Sequence, residues 1–138
     1  MLRYPVRIEP DGDGFLATFR DIPEAATGAP TREEALDLAE DALVTAMDFY
    51  FEDQRQVPLP SAAEPGEDLV GLPVSLSAKV LLLNEMLAQR ITQADLARRM
   101  HLKPQEVTRI VDVHHATKID TLADAFAALG RRLELSIA

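Results

Sequence analysis

Apolar and polar side chains alternate along the start of the chain with the period of two that a half-buried β-strand requires. The apolar positions are Leu2, Tyr4, Val6 and Ile8 in a first stretch, and Phe15, Ala17 and Phe19 in a second. Residues 10–14 between them have the sequence Pro-Asp-Gly-Asp-Gly, which is typical of a tight turn. The pattern therefore predicts a β-hairpin, and a short third strand is predicted near residues 24–27.

A helical period follows the strands. Apolar side chains recur at steps of three and four residues, at Leu36, Ala39, Leu43, Ala46, Met47 and Tyr50. Thr31 and Glu34 have the spacing of a capping box, so a long helix is expected over residues 31–52 with its apolar face on the sheet. A connection rich in Pro and Gly over residues 54–68 ends this helix, and residues 69–74 alternate again as a fourth strand.

The second part of the chain, residues 75–138, is mainly helical in pattern. Ser75 or Ser77 is expected to cap a first helix that continues through Leu87, and residues 121–129 form a last helix that ends at Gly130. A final strand is predicted because apolar residues alternate with polar ones at Leu133, Leu135 and Ile137. A lone strand needs a partner edge, so these three residues are expected to pair with a second copy of the chain in a homodimer or a larger oligomer. The predicted fold is an α+β domain (βββαβ, residues 1–73) followed by a mainly α domain with a terminal β-strand (residues 75–138).

Residues 91–110 contain the most specific pattern in the sequence. Thr92 and Asp95 have the spacing of a helix cap, and Pro104 suits the first position of a second short helix, whose buried stripe is Val107 and Ile110. His101 occupies the turn between the two helices, where glycine is common, so its backbone is expected to be left-handed. The pattern favours a helix-turn-helix for DNA binding over the alternative, a helical hairpin with a polar exterior.

The outward side chains of this motif suit contacts with DNA. Gln bonds adenine, Arg bonds guanine, Thr meets a phosphate or a thymine methyl group, and helix N-termini favour phosphate. The candidate DNA-binding residues are Gln93, Lys103, Gln105, Glu106, Thr108, Arg109, Thr117 and Lys118.

Charge is divided unevenly along the chain. Residues 1–68 carry 16 acidic and 5 basic side chains, a net charge of −11, whereas residues 69–138 carry 7 and 9, a net charge of +2. An acidic module repels nucleic acid and attracts basic protein surfaces, and a mildly basic module can approach phosphate. The acidic side of the long helix is either a solvated face or a surface for a basic partner.

Composition excludes several classes of protein. The chain has no cysteine, so it is neither a disulfide scaffold nor a zinc finger. The neighbouring residues His114 and His115 diverge in direction, so no metal site and no cofactor are expected. No apolar stretch is long enough to span a membrane, and the N-terminus lacks the apolar region of a signal peptide, so we expect a cytoplasmic protein without a membrane partner.

These segments together resemble HicB-type antitoxins of bacterial toxin–antitoxin modules. The resemblance is carried by residues 1–9 with the hairpin, 21–25, 31–53, 57–60, the helix-turn-helix and 114–120. It implies a partial RNase H-like N-terminal domain that binds and masks a small, basic, mRNA-cleaving HicA-like toxin. It also implies a C-terminal domain that binds double-stranded operator DNA of its own operon and represses it. The candidate toxin-binding residues are Asp21, Ile22, Glu24, Glu33 and Asp37.

Two other functions compete with this interpretation. A ligand-sensing transcription factor with no toxin partner would bind a small molecule through its first module. A metal-dependent nuclease would need carboxylates that converge on Mg²⁺. Glu9 lies at a strand end and Asp11, Asp13 and Asp21 lie in turns, so the sequence predicts no convergent cluster, no catalytic residue and no enzyme activity.

Overall fold

The computed structural model of the chain describes residues 1–138. The strands are β1 (Arg3–Asp11), β2 (Gly14–Thr18), β3 (Ala26–Ala29) and β4 (Asp68–Gly71), and the helices are α1 (Arg32–Glu52), α2 (Val74–Gln89), α3 (Gln93–Met100), α4 (Pro104–Ile110) and α5 (Ile119–Ala128). The predicted mixed α+β character and the order βββαβ of the first part are confirmed. The third strand begins two residues later than predicted, because residues 22–25 form a turn closed by a hydrogen bond from the Ala25 amide to the Ile22 carbonyl.

The four strands form one antiparallel sheet in the order β3-β2-β1-β4. Pro5 lies within the central strand β1, where a proline would ordinarily interrupt the ladder. It is tolerated because β2 pairs with β1 only from Arg7 onward, so that Pro5 faces Leu69 of β4 alone. The edges of the sheet are β3 and β4.

Helix α1 covers one face of this sheet. Thr31 is its N-cap, and the Thr31 hydroxyl accepts a hydrogen bond from the Glu34 amide at 3.1 Å. The buried face of α1 consists of Ala35, Ala39, Leu43, Ala46, Met47, Tyr50 and Phe51. Together with Tyr4, Val6, Phe19 and Ile22 these residues belong to the first hydrophobic cluster of the chain. The helical period seen in the sequence therefore marks the face that packs on the sheet.

Side-chain hydrogen bonds fix the connection between α1 and β4. Val57 and Asn84 exchange two of them: the Val57 amide donates to Oδ1 of Asn84 at 2.8 Å, and Nδ2 of Asn84 donates to the Val57 carbonyl at 3.0 Å. Arg20 binds both carboxylate oxygens of Glu67, at 2.9 and 3.1 Å. The connection is thus held against both α2 and the loop after β2.

Helix α2 contributes to two hydrophobic clusters. Leu76, Val80 and Leu83 belong to the first cluster, while Ala78, Leu82 and Met86 belong to a second one that contains buried residues of α3, α4 and α5. Because its apolar residues face two sides, α2 connects the sheet unit directly to the helical unit.

The predicted cap of α2 by Ser75 or Ser77 is wrong. The helix begins after Pro73, which makes no side-chain cap. Ser77 is buried, and its hydroxyl accepts a hydrogen bond from the Leu2 amide at 3.0 Å and donates one to the Leu72 carbonyl at 3.3 Å. The hydroxyl that was expected to cap the helix therefore ties the N-terminus of the chain to it.

The predicted C-terminal strand is absent from the single chain. Residues 131–138 form no β-ladder, Leu133 is half-buried against the second cluster, and Leu135 and Ile137 are 76% and 101% exposed. A strand forms only where another strand pairs with it, and residues 131–138 pair with no strand of their own chain. Among the five helices, none has the combination of length and hydropathy that a membrane crossing requires.

Candidate nucleic-acid and protein interfaces

Helix α3 begins with a complete capping box. The Asp95 amide donates to the Thr92 hydroxyl at 3.1 Å, and the Thr92 amide donates to the Asp95 carboxylate at 3.0 Å. The hydrogen bond from the Thr92 amide is the main reason that the pKa of Asp95 is lowered. The helix therefore begins at a fixed position, as the sequence predicts.

The turn between α3 and α4 consists of three residues. His101 adopts a left-handed backbone with φ 55° and ψ 40°, which confirms the prediction from the sequence. The next amide, that of Leu102, donates to the Ala97 carbonyl at 3.0 Å, and Pro104 is the first residue of α4. A short connection of this kind holds the two helices in a single arrangement.

Helix α4 has one buried and one exposed side. Val107 and Ile110 are 0% and 3% exposed and lie in the second cluster, as predicted. The exposed side carries Gln105, Glu106, Thr108 and Arg109. The Glu106 carboxylate accepts a hydrogen bond from the Lys103 amide at 3.0 Å, and the Thr108 hydroxyl donates to the Pro104 carbonyl at 3.0 Å. Gln105 and Arg109 make no side-chain hydrogen bond or ion pair within the chain, so their donors are free for a ligand.

Four of the candidate DNA-binding residues lie around one concavity of about 360 Å³ between α4 and the start of α5. Glu106 and Arg109 line it from α4, and Thr117 and Lys118 line it from the segment that leads into α5. Lys118 is also the N-cap residue of α5, so it lies beside the free backbone N–H groups of the first turn of that helix. Two basic side chains and several hydrogen-bond donors thus lie around one concavity, together with the carboxylate of Glu106.

Gln93 lies on the other side of α4. It lines a separate depression with Thr108, and the remaining lining includes the acidic residues Asp48, Glu52 and Asp112. The structure therefore divides the predicted DNA-binding residues into a basic group near Arg109 and a polar group that borders the acidic end of α1.

The predicted toxin-binding residues have different positions. Ile22 is completely buried in the first cluster, and the Asp21 carboxylate accepts hydrogen bonds from the amide and the hydroxyl of Ser61. Ile22 has no surface to offer a partner, so its expected contact is corrected: this residue packs the core, and Asp21 holds the connection. Glu33 and Asp37 are exposed on α1.

Glu24 is exposed and binds α1. Its carboxylate oxygens accept a hydrogen bond from the Tyr50 hydroxyl at 2.6 and 2.7 Å. Burial of the phenol, together with this hydrogen bond, raises the pKa of Tyr50 to about 12. Glu24 therefore stands at a fixed place where the loop before β3 meets the helix.

A shallow groove between β3 and α1 combines acidic and apolar side chains. Glu24 and Asp41 line it together with Leu38 and Phe49, which are 43% and 50% exposed. The sequence pattern predicts a buried face and an acidic face for α1 and does not predict these two exposed apolar residues. They lie eleven residues apart on one side of the helix, and this spacing is the signal for a second apolar stripe.

The two adjacent histidines lie in the loop between α4 and α5. Nε2 of His114 lies 2.9 Å from a carboxylate oxygen of Asp48, and Nδ1 of His115 lies 3.4 Å from the Thr117 hydroxyl. No group of three or more His, Asp or Glu side chains has the arrangement of a metal site.

Comparisons with known proteins give one consistent family. A family model described as "HicB_like antitoxin of bacterial toxin-antitoxin system" matches residues 3–81. The chain is 58% identical to "Antitoxin HicB 2" of Photorhabdus laumondii over 134 residues, which covers 97% of this chain and 95% of that protein. It is 48% identical to "Antitoxin HicB" of Escherichia coli K12 over 135 residues, which covers 97% and 98%. "Antitoxin HicB" of Pseudomonas fluorescens is 37% identical over 138 residues, with coverage of 99% and 94%.

Proposed function

Because the chain belongs to the HicB-like family of antitoxins from bacterial toxin–antitoxin systems, we propose that it neutralises a HicA-like mRNA-cleaving toxin and represses its own operon. The toxin-binding role is assigned to residues 1–73, as a partial RNase H-like domain, and the DNA-binding role to residues 75–138. We assign no catalytic step to the chain. Binding to operator DNA would place it in the cytoplasm with the chromosome.

The exposed side of α4 is the observation that carries the DNA-binding half of the proposal. In our assignment α3 and α4 form a helix-turn-helix, and α4 enters the major groove. Gln105 and Arg109 have no partner within the chain, and both side chains suit bidentate contacts with base edges. Lys103, Thr117 and Lys118 would bind phosphates on either side of the groove, since all three lie beside the ends of α4 and α5.

The toxin-binding half rests on charge and on the groove between β3 and α1. An RNA-cleaving toxin must attract phosphate and is therefore basic, whereas residues 1–68 carry a net charge of −11. Leu38 and Phe49 would anchor the toxin, and the exposed carboxylates of Glu24, Glu33 and Asp37 would form the polar rim. Complementary charge of this kind speeds association, and the apolar anchors supply affinity.

Dimer formation would complete the DNA-binding unit. We propose that residues 133–137 pair with the same segment of a second chain, which would remove Leu135 and Ile137 from water. Two copies of α4 would then lie ~34 Å apart, or a multiple of this distance, in successive major grooves.

Co-purification with the product of the neighbouring gene tests the proposal. The chain should form a complex of defined size with a small basic protein, and it should stop that protein from cleaving mRNA. The chain should also retard a duplex that carries the promoter of its own operon. A chain that binds the promoter duplex but has no effect on the neighbouring gene product would favour a ligand-sensing repressor instead.

A further inference from the structure

Lys79 of α2 is a buried cation with an unusual set of partners. Only 2% of the residue is exposed, and it lies between the buried residues Ala78 and Val80. Its Nζ donates hydrogen bonds to the backbone carbonyls of Arg109 at 3.3 Å, Asp112 at 2.6 Å and His115 at 2.5 Å. An ammonium group has three N–H donors, so every donor of Lys79 has one carbonyl acceptor.

The acceptors belong to the end of α4 and to the loop that follows it. The last carbonyls of a helix lack intrahelical partners and carry a partial negative charge. The other two carbonyls face inward in the loop before α5. Backbone amides also donate to two of these carbonyls, from Asp112 to Arg109 and from His115 to Asp112, both at 3.2 Å. An aliphatic side chain in place of Lys79 would therefore leave the His115 carbonyl without a donor.

Burial of a charge is costly and requires a compensating interaction. The pKa of Lys79 is lowered, chiefly by burial, and the nearby Asp112 carboxylate opposes this effect. The buried ammonium group lies where α2, α4 and the loop before α5 meet, and its three hydrogen bonds to carbonyls compensate for the loss of water. The ammonium group therefore fixes these three segments relative to one another.

We propose that Lys79 is a positioning residue for DNA binding, because it holds the end of α4 and the start of α5 at the spacing that operator phosphates and bases require. This inference rests on the DNA-binding role proposed for α4. The carbonyl of Arg109 is one acceptor, and the carbonyl of His115 lies two residues before Thr117. Lys79 thus determines the relative position of the side chains of Arg109, Thr117 and Lys118 without touching DNA itself.

A double-mutant cycle on the full chain tests the inference. Fluorescence anisotropy would measure affinity for a duplex carrying the promoter of the operon, for wild type, Lys79→Met, Arg109→Ala and the double variant. We expect Lys79→Met to weaken DNA binding about tenfold and to change toxin binding less than about twofold. In the Lys79→Met background, Arg109→Ala should cost clearly less than it does alone, because its side chain is already misplaced.

The controls separate positioning from charge and from stability. Arg3→Met removes one exposed positive charge from β1 and should leave DNA affinity within about twofold of wild type. If Lys79→Met does not fold, Lys79→Gln, a shorter neutral donor, takes its place in the cycle.

Three results would contradict the inference. Additive effects of the two substitutions, unchanged DNA affinity in Lys79→Met, or a parallel loss of toxin binding would each show that Lys79 does not act through the position of Arg109. A wild-type chain that binds no promoter duplex would overturn the proposed DNA-binding role, and the inference with it. The affinity of the wild-type chain, which is the first measurement of the cycle, distinguishes this outcome from the other three.

Discussion

Nε2 of His114 lies 2.9 Å from a carboxylate oxygen of Asp48, so the loop after α4 contacts the last turns of α1. The neighbouring residue Val113 packs against the first hydrophobic cluster. His114 is mostly exposed, and an exposed polar contact of this kind contributes little to stability. Its main consequence is geometric: it marks where the acidic helix borders the exposed side of α4.

Glu52 lies in the depression that also contains Gln93 and Thr108, so it should repel DNA phosphates that approach this side of α4. We expect Glu52→Gln to raise affinity for promoter DNA about two- to threefold at low salt, and the gain should shrink at high salt. Asp13→Asn, in the turn between β1 and β2, is the matched control and should change nothing. An equal gain in both variants would show that only net charge matters.

Glu67 should make the fold sensitive to acid. The hydrogen bond from Arg20 is the main cause that lowers the pKa of Glu67 to about 2, from an ordinary value of 4.5. A carboxyl group with a lowered pKa in the folded state stabilises the fold above pH 4.5, and this contribution is lost as the pH falls toward 2. Urea unfolding of Glu67→Gln should therefore show a larger deficit in the free energy of unfolding at pH 6 than at pH 3. An equal deficit at both pH values would argue against this ion pair.

His101→Gly should stabilise the protein. A left-handed backbone costs about 1–2 kcal/mol in a residue with a Cβ, and the greater freedom of glycine in the unfolded chain offsets part of this. We expect a net gain of about 0.5–1 kcal/mol in the free energy of unfolding, visible as a higher Tm. His115→Gly changes a residue that is not left-handed, so it should lower the Tm or leave it unchanged. A lower Tm in His101→Gly would contradict the prediction.

Leu135 and Ile137 should hold the proposed dimer together. We expect the double variant Leu135→Asp, Ile137→Asp to be a monomer by light scattering, because two carboxylates replace the apolar contact between tails. Its affinity for promoter DNA should fall, while each chain still binds toxin. Leu69 is 51% exposed on β4, outside the tail, so Leu69→Asp should leave the oligomeric state unchanged. A tail variant that stays dimeric would place the dimer interface elsewhere.

Local pattern was sufficient to predict much of the fold. The alternation around Tyr4 and Phe15, the cap at Thr31 and the capping box at Thr92 depend on residues a few positions apart, and the structure confirms each of them. The left-handed turn at His101 was predictable because the helices on both sides have clear boundaries. In each case the interactions that decide the structure are local.

The features that were missed depend on distant parts of the chain. Ser77 is predicted as a helix cap, but its hydroxyl accepts a hydrogen bond from the Leu2 amide. Asp21 is predicted to bind the toxin, but its carboxylate accepts a hydrogen bond from the Ser61 amide. The hydropathy of lysine predicts an exposed position for Lys79, but the residue is buried. The carbonyls that bind its ammonium group belong to residues 109–115, about thirty positions away in the sequence. The strand predicted at Leu135 needs a partner edge, and the C-terminal segment pairs with neither edge strand of its own chain, β3 or β4.

The central claim is that one chain carries two separable surfaces, and reciprocal variants test it most directly. Affinity for promoter DNA and for the partner toxin would be measured for Arg109→Ala and for the double variant Asp37→Lys, Asp41→Lys. Arg3→Ala and the double variant Asp11→Lys, Asp13→Lys are the charge-matched controls. We predict that Arg109→Ala weakens DNA binding by about tenfold or more and leaves toxin binding unchanged, and that the α1 variant does the reverse. Loss of both affinities in either variant, with the controls intact, would contradict the account.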